Sequence, residues 1–434
     1  MLKILSIYLI GFLPLSLIIG PFIGELIFFL IFIFFCYYSL KTKFFFYVDK
    51  NLIKFFLIFC LYISVLSFTA SETLISAKSS IFYIRFGFYT ISIVYFLNVV
   101  KNSLNIIYKI YKFTLLFVIF DSLFQTFTGI NFFGIKPESI DLMRISGPFG
   151  DKFILGSFLQ KTLPVYIFLI LKDYQLSKKI RLSDIFILTF VFAIIFRSGD
   201  RSAMGLILLY SFIFFIIFKD FRKKMIIILS FFIIISTIFS FQNPRIFERN
   251  FVDTINQFKG KYYEKFLNNE VNETNLNFMI FSFHHQSHYT TALRMFYNKP
   301  ISGHGVKMFR YQCKNFEYIP SIKYEVFGET ENSYGCSTHP HNTYLQLLSE
   351  TGIIGFSFIF YLFLRIFRKI FYYLRNNDKF YPECSLLIGI FINLWPLIPT
   401  GNFFNNWLSM IYFIPISYYL FEIKFNKQDK NKIV

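Results

Sequence analysis

The chain has 434 residues, of which 55% are hydrophobic, 22% aromatic and only 16% charged, with a mean hydropathy of +0.53. A soluble globular domain carries about a quarter charged residues, so the composition excludes that class and points to a chain dissolved mostly in lipid. The formal net charge of +19 does not indicate nucleic acid, because the basic residues sit in short stretches between apolar runs and not on one soluble face.

Apolar runs fall at 3–20, 22–40, 53–69, 82–100, 112–129, 153–171, 184–197, 202–218, 224–241, 352–367, 385–399 and 404–422. Each is about long enough to cross a bilayer, the shorter ones at the lower limit. Backbone in lipid must satisfy its own hydrogen bonds, so all of them read as helices. The first run, Ile4 to Ile19, is followed by no small-residue cleavage site, and another run starts at Phe22, so it reads as a retained helix. The pattern predicts an all-α integral membrane protein of about twelve transmembrane helices with one large periplasmic loop. Its expected divisions are an N-terminal bundle of about nine helices at 1–241, the loop at 242–350, and C-terminal helices with a cytoplasmic tail at 351–434.

Lysine and arginine set the orientation. With the N-terminus inside, the cytoplasmic connections hold Lys41, Lys43 and Lys50; Lys101, Lys109 and Lys112; Lys178, Lys179 and Arg181; Lys219, Arg222, Lys223 and Lys224; and Arg368, Lys369 and Arg375. The tail adds Lys424, Lys427, Lys430 and Lys432. The opposite short connections are nearly bare, with Lys78 in one and no basic residue in Pro399–Asn405. The reading is a multi-pass protein of a bacterial inner membrane, with both termini cytoplasmic.

Two outer connections depart from the bare pattern: Asn131–Lys152, with Asp141, Arg144 and Asp151, and the tight turn Arg197-Ser-Gly-Asp-Arg201. The long outer segment from about Gln242 to Glu350 carries every histidine: His284, His285, His288, His304, His339 and His341. Three readings of that crowding stand open. The largest loop collects polar residues by default. The imidazoles form a proton-transfer or phosphate site, since they titrate near neutral pH. Or His284, His285 and His288 offer ligands to zinc, although no Cys-x-x-Cys or His-Glu-x-x-His accompanies them, so no metal is assigned.

The stretch His339-Pro-His-Asn-Thr-Tyr-Leu-Gln-Leu-Leu-Ser-Glu-Thr-Gly-Ile-Ile-Gly355 is the most informative. Pro340 disfavours helix before it, and the residues after it read as a helix entering the membrane with His341 at its N-terminus. Asn342, Gln346 and Glu350 recur every four residues and share one polar face. Such a helix start suits a phosphate-bearing lipid; a plain amphipathic entry helix is the alternative. In the turn at 197–201, two arginines at the membrane boundary need partners: either a diphosphate held bidentately, or Asp200 with lipid headgroups. Arg85 sits inside an apolar run as a functional or a snorkelling residue. Asp121 and Gln125 share a face as packing glue or cavity lining. The loop Arg144-Ile-Ser-Gly-Pro-Phe-Gly-Asp151 offers backbone amides for an anion nest. Pro300-Ile-Ser-Gly-His-Gly305 is a glycine-rich turn with no buried strand before it, so it is no dinucleotide site. Cys313 and Cys336 share the outer loop, where disulfides persist, and are expected to pair and tie down the strap leading to His341.

HPHNTYLQLLSETGIIG at 339–355 resembles the C-terminal signature of the bacterial O-antigen ligase and O-antigen polymerase superfamily. RSGDRSA at 197–203, HYTTALRMFYNKPISGHGVKMFR at 288–310 and RISGPFGDKFILGS at 144–157 are similar to further segments of that family, in the family's order. The resemblance implies a membrane glycosyltransferase without cofactor or metal. Its donor would be an undecaprenyl-diphosphate-linked glycan. Its acceptor would be a hydroxyl of lipid A core or of another lipid-linked repeat unit, with protein side chains used by related enzymes. By the same resemblance His341 is the general base. Arg201 and Arg197 hold the diphosphate, with Arg144, His288 and Asn342 as further binding candidates. The turn carries Asp200 where many members carry Glu. A transporter or flippase of lipid-linked oligosaccharide is the competing class; it calls for deep charges and an inverted repeat, and no repeat is visible. The transferase reading requires His341 and Arg201 to face one lipid-accessible hollow.

Overall fold

The computed structural model describes residues 1–40, 48–137, 144–258, 283–318, 335–376 and 380–432, with side chains left out at 257–258, 283–284 and 425–432. Lys41, Lys43 and Asp141 therefore lie outside the described residues, as do the side chains of His284, Lys427, Lys430 and Lys432.

Among the described residues the chain is helical, without strands. In chain order the main helices are α1 (Leu2–Ile19), α2 (Pro21–Ser39), α3 (Lys50–Leu66), α4 (Thr73–Ile81), α5 (Arg85–Val99), α6 (Ser103–Thr128) and α7 (Leu155–Ser177). There follow α8 (Leu182–Arg197), α9 (Arg201–Ile217), α10 (Arg222–Gln242), α11 (Phe283–Asn298), α12 (Thr343–Arg375), α13 (Glu383–Asn393) and α14 (Asn406–Lys432). Among the described residues, eight helical stretches are long and apolar enough to cross a membrane: Leu2–Ile19, Pro21–Ser39, Lys50–Thr69, Thr73–Val99, Ser103–Thr128, Leu155–Ser177, Lys219–Gln242 and Thr343–Arg375. α9 and α13 are shorter apolar helices, and the runs at 184–197 and 404–422 fall within α8 and α14. This is a multi-pass membrane protein.

Two expectations need correction. Several helices outrun their apolar runs: α6 begins at Ser103, so Lys109 and Lys112 lie within it, and α12 carries Arg368, Lys369 and Arg375 in its last turns. Basic ends project past the hydrocarbon without leaving the helix. Lys112 reaches Asp184 at 3.2 Å in this way. In the other direction, the run at 385–399 is helical only to Asn393. Pro396 and Pro399 have no N–H to continue the ladder, and the segment Leu394–Asn405 is free to leave the helix and reach across to other elements.

α7 is the hub. Every residue from Phe158 to Leu171 on it is buried, as expected of a helix that is apolar all round. α2 and α10, by contrast, bury a minority of their residues and present the rest outward. Helices in lipid gain little from apolar burial and associate through close packing, so small residues matter where they meet. Gly389 of α13 lies against Pro164 of α7 with no room for a methyl group between them.

A second, smaller core gathers Ala292, Met295, Phe309, Cys313 and Tyr318, against which Leu345 packs. Cys313 and Cys336 form a disulfide with Cα atoms 5.1 Å apart. His304 belongs to this layer: it is buried, with Nε2 3.0 Å from the Met295 carbonyl and its ring against Tyr318.

The layer is locked to the membrane body at a break in α12. Gly352 has φ 62° and ψ −170°, so the helix is interrupted there and not continuous through the stretch as the sequence pattern suggests. A break in such a helix exposes backbone groups that must find partners. The Pro300–Gly305 turn supplies them. The N–H groups of His304 and Gly305 donate to the carbonyls of Ser349 (3.1 Å) and Glu350 (2.8 Å), and Ile353 N–H donates to the Pro300 carbonyl (2.8 Å). Tyr62 Oη of α3 donates to the Thr351 carbonyl at 2.6 Å. A Cβ on Gly303 would lie 2.5 Å from the Glu350 carbonyl carbon, and one on Gly352 would run into the Ile301 carbonyl.

Candidate functional site

Two helix starts build the site. The first is α9. Asp200 is its N-cap, its carboxylate accepting from Ala203 N–H at 3.1 Å. Gly199, at φ 65°, turns the chain between α8 and α9. Arg144 Nε donates to the Ser198 carbonyl and Arg249 Nε to the Gly199 carbonyl, each at 3.0 Å. Both side chains pass close to Gly199, where a Cβ would sit 3.3 Å from Arg144 Cγ and 3.2 Å from Arg249 Cδ. Arg144 also lies over the Phe153 ring, 4.6 Å from its centroid. Arg197 is buried at the end of α8, and Arg201 is the half-buried first residue of α9. The turn thus gathers Arg144 and Arg249 around its carbonyls, with Arg197 and Arg201 at its two ends.

The loop that brings Arg144 here is anchored from α6. Gln125 Oε1 accepts from Ser146 N–H (2.9 Å) and Gly147 N–H (2.7 Å), and Asp121 accepts from Phe132 N–H (2.7 Å). Two amides expected in an anion nest are therefore already occupied by a side-chain carbonyl. The loop contributes its arginine, and Asp121 and Gln125 act as its moorings.

The second start is α12. Asn342 caps it, its Oδ1 accepting from Tyr344 N–H (3.0 Å) and Leu345 N–H (3.1 Å), while its Nδ2 donates to the Pro396 carbonyl (2.8 Å). His341, just before the cap, holds a left-handed φ of 55°. That conformation is uncommon for a residue with a side chain and persists where surroundings impose it. Here Thr400 N–H donates to the His341 carbonyl at 2.8 Å and Tyr289 Oη at 3.4 Å. Below, Gln346 bridges Glu350 and Asn402, 3.0 Å to each, and accepts from Phe403 N–H at 2.9 Å. Asn342, Gln346 and Glu350 form the single buried polar face expected from their spacing.

Four imidazoles meet at this start. The His341 ring lies 4.0 Å from that of His339 and 5.5 Å from those of His285 and His288, centroid to centroid. Burial, then the neighbouring His288, brings the His341 pKa down to about 4. Burial, then His341, brings His339 down to about 3. Both are neutral at neutral pH, the form that accepts a proton. Among the described residues no group of three His, Cys, Asp or Glu side chains suits a metal ion.

The two starts are joined by Leu394–Asn405. Thr400 of that segment holds the His341 backbone, its hydroxyl lies 3.0 Å from that of Thr343, and Ile398 Cδ1 lies 4.0 Å from where a Cβ on Gly205, in the second turn of α9, would be. Sequence reading did not single out this segment. Its signal was the Pro396 and Pro399 pair inside an apolar run. Nor did it single out Arg249, which sits in a π-turn at Glu248–Val252, a distortion often found at functional positions. Lys161 was also passed over, although a lysine inside an apolar run is a functional candidate by default. It is buried in α7, its Nζ 2.5 Å from Ser157 Oγ. Gly156 beside them packs on Ser198 and Asp200 of the arginine turn.

A multi-pass helical membrane protein with arginines and histidines at two capped helix starts is the class that fold and site define. Residues 185–360 match the model of the O-antigen ligase family, a span that runs from α8 through both helix starts. No curated protein and no solved structure matches the chain.

Proposed function

We propose that this protein moves a glycan from undecaprenyl diphosphate to a hydroxyl of lipid A core or of a second lipid-linked repeat unit, on the periplasmic side of a bacterial inner membrane. About twelve helices span the membrane with both termini inside, as the lysine and arginine pattern favours. His341 takes the proton of the acceptor hydroxyl. The acceptor oxygen attacks the anomeric carbon, the bond from that carbon to the diphosphate oxygen breaks, and the electron pair leaves with the lipid diphosphate. Arg201 and Arg197, with Arg144, stabilise the charge that develops on the leaving group, where electrostatic help counts most. Asn342 and His288 line the acceptor side.

The observation that carries this reading is the His341 group. A neutral imidazole sits on a residue held in a left-handed conformation beside a capped helix start, and the segment that binds its carbonyl also passes near Gly205, in the second turn of the helix that begins at Arg201.

The test is His341→Ala in the native host, with surface lipopolysaccharide resolved by size. Loss of all attached glycan identifies a ligase, and retention of a single attached repeat identifies a polymerase. Removing a general base costs on the order of 10²–10⁴-fold in rate. Unchanged banding with the variant present in the membrane would overturn the assignment.

A further inference from the structure

Near the histidines lies a second group of cations. Lys307 and Arg310 come just after the Pro300–Gly305 turn, and Arg85 stands at the start of α5. Arg85 is already paired with Glu25 at 2.7 Å. Lys307 and Arg310 are different: among the described residues neither makes an ion pair. Arg310 Nε is buried without a hydrogen-bond partner. Lys307 is held at φ 63°, a left-handed conformation that a lysine adopts only under constraint. The constraint is local, since Gly305 N–H is bound to the Glu350 carbonyl and Phe309 N–H to Glu350 Oε1 at 3.1 Å. Glu350 is the buried carboxylate beside them, but its two oxygens are taken by Phe309 N–H and by Gln346 Nε2. Burial, then the nearby Arg310, disfavours the charged form of Lys307, and Arg310 is close enough to His339 to disfavour its protonation. Glu350 acts on both cations through space but makes an ion pair with neither, and a phosphate would meet the two directly.

We propose that Lys307 and Arg310 form a second phosphate-binding site, which holds a phosphate or diphosphate of the acceptor while its hydroxyl reaches His341. The inference rests on the transfer reading and narrows it. The donor's diphosphate lies at the Arg197–Arg201 turn and the acceptor's phosphate at Lys307 and Arg310. The acceptor is then a phosphate-bearing lipid and not a protein side chain.

The test uses the full chain in nanodiscs and counts bound farnesyl diphosphate by native mass spectrometry. Wild type binds two equivalents. Lys307→Ala with Arg310→Ala binds one, the affinity of the lost site falling by about tenfold or more. Arg197→Ala with Arg201→Ala loses the other one. Arg310→Lys, which keeps the charge and guards against a folding artefact, retains two with the second weakened. Farnesol, which lacks phosphate, occupies neither site. Two equivalents bound to the Lys307/Arg310 double variant overturn the proposal, as does a wild type that binds one equivalent lost only with Arg197 and Arg201. Phosphatidylglycerol displacing the second equivalent while farnesyl diphosphate fails to displace phosphatidylglycerol also overturns it, because the site then belongs to the bilayer. If the Arg197/Arg201 variant keeps both equivalents, the donor assignment fails and the second site stands.

Discussion

The two helix starts solve the same problem with opposite electrostatics. Each ends a connection into a helix, and each satisfies its first amide groups with a side chain: Asp200 for α9, Asn342 for α12. The charged cap stands among arginines. The neutral cap stands among imidazoles whose pKa values are pushed down. A carboxylate at the second start would favour protonated histidine and remove the base, whereas at the first it steadies a cation cluster without filling it. On the proposed transfer reading, the caps differ because one side would present charge to an anion and the other would stay neutral to accept a proton.

The supports differ more sharply, and the largest expected effect tests that difference. α12 is steadied by the lock between Gly352 and the Pro300–Gly305 turn. Gly352→Ala combines a left-handed φ of 62° with a clash on the Ile301 backbone. The expected loss is on the order of 3 kcal/mol or more, with His341-dependent transfer lost alongside. The counterpart near the other start is Gly205, whose added methyl meets only Ile398 Cδ1 at 4.0 Å. Gly205→Ala is expected to be neutral or to stabilise α9 by up to about 1 kcal/mol. Thermal unfolding in detergent compares the two. Equal midpoints would show that the α12 break bears no load.

The sequence made the first start and much of the second legible, and the reasons are physical. Four-residue polar spacing and the proline before His341 are local signals, and they gave the α12 start and the shared face of Asn342, Gln346 and Glu350. The lock was not legible, because nothing local says that Pro300-Ile-Ser-Gly-His-Gly305 will bond to carbonyls some fifty residues away; both motifs were visible, their meeting was not. The same holds for Thr400. A hydropathy window merges 385–399 into one run, and only the two prolines betray that the helix stops at Asn393. Apolar periodicity reports on lipid, and these segments answer to the site.

Acid is the next test. His339 and His341 titrate near 6.5 when unfolded and at about 3 and about 4 in the fold. The unfolded chain therefore binds more protons below about pH 6.5, so stability is full above that value and is lost as pH falls from about 6.5 toward 4. The expected signature is an unfolding midpoint that declines over this window and flattens in the His339→Asn, His341→Asn double variant. Asn342→Asp, which brings the first start's cap chemistry to the second, should raise both folded pKa values, weaken the decline and shift the acid limb of transfer activity upward. A midpoint with the same pH slope in wild type and the double variant would mean that the histidines are not buried neutral.

The smallest effect separates cap from charge at Asp200. Asn caps a helix as well as Asp does, so Asp200→Asn keeps the bond to Ala203 N–H and removes only the negative charge; stability should change by a few tenths of a kcal/mol. Asp200→Ala removes both, at about 1 kcal/mol. If the carboxylate serves mainly as a cap, the two variants differ in unfolding midpoint but behave alike toward an anion. Farnesyl diphosphate should then bind both at least as tightly as wild type, since each loses a negative charge beside the arginines. If the carboxylate instead orients a guanidinium that must reach the diphosphate, both variants bind the probe more weakly, and Asn is no better than Ala. The sign of that change in affinity decides whether the first start presents its charge through the cap or in spite of it.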